Sequence, residues 1–198
     1  MRLLKYLTFM TIVGLAACQK QAPTATEVAP EMSAKPAAVD AVRLVAADSD
    51  GANWMNHGRT YSEQRHSPLT TVSESTVSKL GLAWSFDFNT ERGIEATSIV
   101  VDGTMYTTSA WSIVHALDAR TGEHLWTYDP EVAKDKQRHF CCDAVNRGVA
   151  VWEGQVLFGT LDGRLIALDA ATGAENWSVA TVDPELPYTI TGAPRVIN

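Results

Sequence analysis

Residues 95–126, EATSIVVDGTMYTTSAWSIVHALDARTGEHLW, are followed by a second version of themselves. Residues 146–177, NRGVAVWEGQVLFGTLDGRLIALDAATGAENW, align with them without a gap at an offset of 51. Gly103 falls on Gly154, Ala116-Leu117-Asp118 on Ala167-Leu168-Asp169, Thr121-Gly122 on Thr172-Gly173, and Trp126 on Trp177. A period near 50 restricts the chain to propellers or solenoids, whose units cannot bury their apolar faces alone.

Each unit reads as four short strands. In the first, SIVV turns at Asp102-Gly103 into MYTTS, and IVHALDA follows a second turn and leads through ARTGE to LWTYD. The second uses Glu153-Gly154 and then Asp162-Gly163. Asp-Gly is a strong two-residue hairpin signal because both central residues need positive φ. Four antiparallel strands per unit, repeated radially, make a β-propeller blade, so the expected fold class is all-β. The shared pattern A-L-D-x-x-T-G-x-x-x-W gives Asp118 and Asp169 turn amides to accept from and gives Trp126 and Trp177 flat faces to bury between blades. An earlier LAWSFD, residues 82–87, reads as one more outer strand with Trp84 in the same docking role. TGAPRVIN, residues 191–198, reads as the opening of a third inner strand. Eight such blades need roughly 400 residues, taking the upper end of the usual blade number. The expectation is two to three blades of a larger propeller, a truncated or partial chain.

The flanks carry a different signal. Arg2 and Lys5 precede an apolar run over residues 6–17, too short to cross a membrane and shaped like the core of a signal peptide. It ends in LAAC, which resembles the bacterial lipobox and makes Cys18 a lipidation candidate. Residues 19–47 are rich in Ala, Pro and Thr and read as a disordered tether, with the partial propeller over 48–198. Export to the periplasm with a lipid anchor is the expected localisation. The formal net charge of −7, with no long basic stretch, argues against a nucleic-acid partner.

An exported chain sits in an oxidising compartment. If Cys18 carries lipid, Cys141 and Cys142 pair with each other, stay reduced, or bridge two chains. Neighbouring Cα atoms lie about 3.8 Å apart, closer than the roughly 4.4–6.8 Å of ordinary disulfides, so a bridge between them closes a small strained ring. The five histidines show no metal spacing, and His139 beside adjacent cysteines leaves too few ligands for a structural zinc site.

Together, the repeats, FCCDAVNRGVAVW (140–152) and TITGAPRV (189–196) resemble the pyrroloquinoline quinone (PQQ)-dependent, or quinoprotein, alcohol dehydrogenases. NWMNHGRTYSEQRHSPL, residues 53–69, is similar to that family's N-terminal lead-in. The Trp-docking motif is shared with noncatalytic propellers, whereas vicinal cysteines followed five residues later by arginine are more specific. The resemblance implies an eight-bladed propeller with PQQ near its axis, lying between a tryptophan and a vicinal disulfide. It makes Cys141 and Cys142 that disulfide. It makes Glu95, Arg147 and Thr191 cofactor-binding residues, each at the start of a blade's innermost strand and so facing the axis. It further implies a Ca²⁺ or lanthanide whose ligands lie outside this chain, a small alcohol as substrate, and a cytochrome c or membrane quinone as electron acceptor. The family's catalytic aspartate matches no position here, so the chain alone is expected to be inactive. The alternative is a noncatalytic β-propeller lipoprotein of the outer-membrane assembly type, which needs neither the cysteine pair nor Arg147.

Overall fold

Asp102-Gly103 and Glu153-Gly154 set the register of everything that follows them. All four residues have positive φ (51°, 82°, 47° and 77°), the combination a two-residue hairpin with matched twist requires. The computed structural model describes residues 36–140 and 142–197. Across the first turn β1 (Ile99–Val101) pairs with β2 (Thr104–Thr108), and across the second β5 (Ala150–Trp152) pairs with β6 (Gln155–Gly159). β3 (Val114–Asp118) and β4 (His124–Tyr128) complete the first sheet, while β7 (Arg164–Asp169) and β8 (Glu175–Ala180) complete the second. Each is a four-stranded antiparallel meander in sequence order. Even the irregularity repeats, as a register shift at Ala116/Leu117 and again at Ala167/Leu168.

The turn between the third and fourth strands is built as its sequence requires. Asp118 Oδ1 accepts from the amides of Arg120 and Thr121 and from the Thr121 hydroxyl, at 2.7–2.9 Å. Asp169 does the same with Ala171 and Thr172. These bonds, with the Thr121 amide foremost, hold the Asp118 carboxyl below its ordinary value. Gly122 and Gly173 follow at φ 75° and 73°. Their missing side chains make room for tryptophan. A Cβ on Gly122 would stand 2.6 Å from the Trp84 ring, and one on Gly173 would stand 2.7 Å from Trp126. The indole N–H of Trp84 donates to the Ala119 carbonyl at 3.3 Å, and that of Trp126 to Ala170 at 3.1 Å. One tryptophan thus docks on the glycine turn of the next unit. Trp126 is 8% exposed, whereas Trp177, the third of the set, is 40% exposed.

The core lies between the sheets. Ile99, Tyr106 and Val114 from the first meet Val151, Phe158 and Ile166 from the second in one buried cluster. The Tyr106 hydroxyl shares the Ala170 carbonyl with Trp126, at 3.1 Å, and burial pushes the phenol up to about 12.

Three expectations need adjustment. The tether does not run to residue 47. Ala37 and Val39 are buried, and their carbonyls accept from the amides of Gly154 (2.9 Å) and Glu153 (2.8 Å). The short helix α1 (Ala41–Val45) then begins at an Asp40 cap, and its Arg43 makes a two-pronged bond to Asp102 at 3.0 and 2.8 Å. Alanine and proline count says nothing about a short segment whose few apolar side chains find a seam between two sheets. Residues 82–87 are not a strand, although Trp84 docks as expected; Leu82 is 85% exposed, and the segment has no ladder partner among the described residues. Residues 191–197 are likewise irregular, since an inner strand needs a hairpin mate. Cys18 and the leader lie outside the described residues.

His115 occupies the second face of the first sheet. Its Nε2 is bonded to Ser109 at 2.9 Å and its Nδ1 to Thr127 at 3.1 Å, with the Phe88 ring 4.8 Å away. Burial, and after it the nearby His124, pushes His115 down to about 4. The unfolded imidazole titrates near 6.5, so the unfolded state binds the extra proton. Stability from this group is full above pH 6.5 and lost as pH falls toward 4, by about 3 kcal/mol in all. Urea denaturation between pH 7 and 4 should show this slope in the wild type and a shallower one in His115→Gln.

The docking glycines supply a second test. Gly103 has φ 82° with open space around its Cβ position, whereas Gly173 has φ 73° and faces the Trp126 ring. Gly103→Ala should cost about 1 kcal/mol, the left-handed strain alone, and Gly173→Ala about 3 kcal/mol by adding overpacking. Equal costs in urea melts would mean that the indole contact does not constrain the turn.

Candidate functional site

Arg147 stands three residues before β5, in a stretch fixed on both sides by burial. Val145 and Val149 are in the core, and so is the polar Asn146 between them, 2% exposed. Asn146 Nδ2 donates to the Gly159 carbonyl at 2.8 Å, and its Oδ1 accepts from the Thr108 hydroxyl and the Gly148 amide, each at 3.0 Å. It therefore ties the entry to β5 to the ends of β2 and β6. Gly148 adopts φ 118°, and a Cβ there would lie 2.7 Å from the Thr97 carbonyl oxygen. Only glycine admits that approach.

With its backbone so held, Arg147 joins two other segments. Its amide donates to the Thr191 carbonyl at 2.9 Å, and its carbonyl accepts from the Thr97 amide at 3.2 Å. Its guanidinium repeats the bridge outside: Nη1 donates to the Thr191 hydroxyl at 2.8 Å and Nη2 pairs with Glu95 Oε2 at 2.9 Å. Glu95, Arg147 and Thr191, chosen from three separate stretches of sequence, thus form one cluster. Arg147 and Glu95 are 38% and 43% exposed, so the cluster faces outward from the core.

Around it lie residues that the sequence did not single out. Arg65 Nη2 contacts the Thr97 hydroxyl at 2.9 Å and His57 Nε2 at 2.8 Å. Burial, followed by the charges of Arg195 and Arg65, holds His57 below its ordinary value. Arg195 pairs with Glu63 at 2.7 Å, joining the lead-in to the segment that carries Thr191. Arg92 pairs with Asp143, next to Cys142. Asn146 was legible in principle, as a polar residue inside an inward-facing apolar run; Arg65 and Arg92 carry no local pattern that marks them. Cys142 is disulfide-bonded. Cys141 lies outside the described residues.

The family model for the glucose/ethanol/alcohol dehydrogenase β-propeller domain that uses PQQ matches residues 54–186. This chain belongs to that PQQ dehydrogenase family. Its relatives agree. Quinohemoprotein alcohol dehydrogenase ADH-IIG of Pseudomonas putida is 58% identical over 164 residues, 82% of this chain and 23% of that protein. Its solved structure superposes with a TM-score of 0.82 at 57% identity, over 84% of this chain and 24% of that one. The 1-butanol dehydrogenase (cytochrome c) of Thauera butanivorans is 56% identical over 148 residues, 74% of this chain and 21% of that protein. A europium-containing methanol dehydrogenase superposes with a TM-score of 0.74 at 38% identity, over 79% of this chain and 28% of that one. The chain spans about a quarter of the length of the curated relatives it matches. As in the PQQ dehydrogenase fold, the two sheets are propeller blades; Glu95 and Arg147 lie at the entries to their first strands, and Thr191 joins them from the segment after β8.

The donor set fits the family's cofactor. PQQ is a flat o-quinone bearing three carboxylates, and a guanidinium with N–H donors to spare suits such oxygens. Arg147 has five N–H groups, and the bonds to Thr191 and Glu95 engage two of them. Among the described residues, no group of three or more His, Cys, Asp or Glu side chains is assembled for a metal ion. No helix among them is long and apolar enough to cross a membrane.

Because Asn146 holds the Arg147 backbone through buried bonds, Asn146→Ala should leave a buried carbonyl and amide unpaired. The expected loss is about 2–4 kcal/mol in chemical denaturation, and Asn146→Asp should recover part of it by keeping the Oδ1 acceptor.

Proposed function

We propose that this chain forms the N-terminal part of the cofactor pocket of an exported PQQ-dependent dehydrogenase that oxidises an alcohol to an aldehyde. The observation that carries the reading is the convergence of Glu95 and Arg147, from the entries to β1 and β5, with Thr191. A purely structural propeller needs the tryptophan–glycine docking but gains nothing from an outward-facing ion pair of this kind. The identities to quinohemoprotein alcohol dehydrogenases support the reaction class.

When bound, PQQ supplies the two-electron acceptor for the alcohol carbon. The chain's own residues bind and orient it. Arg147 offers charge-assisted N–H donors to its oxygens, the Thr191 hydroxyl adds a neutral hydrogen-bonding group, and Glu95 both holds the guanidinium in place and accepts from a cofactor N–H. Cys141 and Cys142, if joined to each other, would offer the ring a stiff wall. A Ca²⁺ or lanthanide, held by residues outside this chain, would complete the site; the europium-containing methanol dehydrogenase supports a metal ion in the whole protein. Electrons leave to a cytochrome or a respiratory quinone, a route supported by the cytochrome c-linked relative. The leader directs the protein to the periplasm, with lipidated Cys18 as its anchor. We assign no described residue as the base that takes the alcohol proton, so the chain by itself does not turn over.

Saturable quenching of tryptophan fluorescence by added PQQ is expected for the wild type. Arg147→Gln should weaken it at least tenfold, the scale of a charge-assisted hydrogen bond. Equal affinities of wild type and variant would sink the pocket assignment, and dye-linked alcohol oxidation by this chain with PQQ and Ca²⁺ would sink the claim of inactivity.

A further inference from the structure

The tip of the β2–β3 hairpin differs from its counterpart in the second blade. At the offset of 51, Trp111-Ser112 corresponds to Asp162-Gly163. In the second blade the left-handed position is a glycine, at φ 80°, and Asp162 is held by Arg164 at 2.8 Å. In the first, Trp111 and Ser112 are both left-handed, at 66° and 61°, and neither is glycine. L-residues adopt that conformation only against steric resistance. The Ser112 hydroxyl is also buried without a hydrogen-bond partner. The same architecture is therefore attainable with less strain, and the sister blade attains it. Strain of this kind persists where surrounding contacts over-determine it.

Those contacts surround the indole. The Trp111 amide donates to the Ala144 carbonyl at 2.9 Å. Its indole meets the Phe140 ring edge-on, with centroids 5.7 Å apart. The Arg92 guanidinium stands 5.2 Å from the indole centroid and pairs with Asp143. Lys134 sits over the same ring at 5.8 Å. Trp111 and Phe140 also cover a small apolar cluster of Val132, Ala144 and Leu161, separate from the core between the sheets. The contacts bracket Cys142, with Phe140 before it and Asp143 and Ala144 after it.

We propose that Trp111 is a positioning residue for Cys142, acting directly through Phe140 and Ala144 and, by way of Arg92, through Asp143. The strained hairpin aims the indole, and the indole fixes the segment that carries the disulfide. Its consequence for the cofactor rests on the pocket reading above; the positioning itself does not.

The test follows opening of the Cys142 disulfide by dithiothreitol, which is oxidised to its cyclic disulfide as the protein bond takes up two electrons and two protons. Samples are quenched with iodoacetamide, and alkylation is read by mass on the tryptic peptide 139–147, bounded by Arg138 and Arg147. Trp111→Leu should open at least tenfold faster than wild type. Trp111→Phe, which keeps an aromatic edge for Phe140, should stay within threefold. Arg92→Gln should open at least threefold faster. A wild-type rate in a folded Trp111→Leu overturns the proposal, and so do equal, fast rates in the Leu and Phe variants. If Trp111→Leu does not fold by circular dichroism, Arg92→Gln decides: faster opening supports the proposal and a wild-type rate overturns it. PQQ quenching of the wild type separates the two readings. Faster opening in the variants without PQQ binding in the wild type removes the pocket reading and leaves the positioning; PQQ binding with unchanged opening does the reverse.

Discussion

An indole lying on a glycine is the contact on which this architecture depends. Trp84 covers Gly122, Trp126 covers Gly173, and each donates its N–H to the alanine carbonyl three residues before that glycine. The contact is directional. Through Trp126 it couples the outer strand β4 to the turn of the next blade and so fixes how the two blades are angled. Apolar burial alone has no such direction. The cluster of Ile99, Tyr106, Val151 and Phe158 fills the space that this angle leaves. Trp177, with the same sequence context as Trp126, is 40% exposed, and no glycine turn among the described residues faces it.

The candidate site is a consequence of that repetition. Propeller blades present equivalent positions to one axis, so residues at the entries to successive first strands are brought together. Here the backbone makes the junction first, through Thr97, Arg147 and Thr191, and the side chains repeat it through Glu95, Arg147 and the Thr191 hydroxyl. Asn146 and Gly148 contribute nothing to the outward face. They set it, one by satisfying buried backbone groups and the other by allowing Thr97 to approach.

How much of this was legible in the sequence follows from the range of each interaction. The hairpins and the aspartate turns are encoded within a dozen residues and stand where the repeat puts them, and the repeat itself carries the tryptophan of one unit to the glycine turn of the next. Glu95, Arg147 and Thr191 were legible through matched motifs, and the repeat independently put them at one level. Residues 82–87 and 191–197 carry strand-like patterns, yet a pattern does not supply a ladder partner. The segment 36–47 was misjudged for the opposite reason: its composition is that of a linker, but Val39, Leu44 and Ala47 find a seam. Arg92 was invisible because its partners, Asp143 and Trp111, come from two other loops.

That seam has a bearing on how the molecule comes to be folded. The carbonyls of Ala37 and Val39 bond to amides at Gly154 and Glu153, and Arg43 bonds to Asp102. The partners lie from roughly sixty to more than a hundred residues downstream. A segment made early in synthesis thus has no place to dock until both inner hairpins exist. Closing loops of that length costs entropy that only formed sheets can offset. The strap is therefore among the last parts to become fixed, a closing stitch rather than a nucleus.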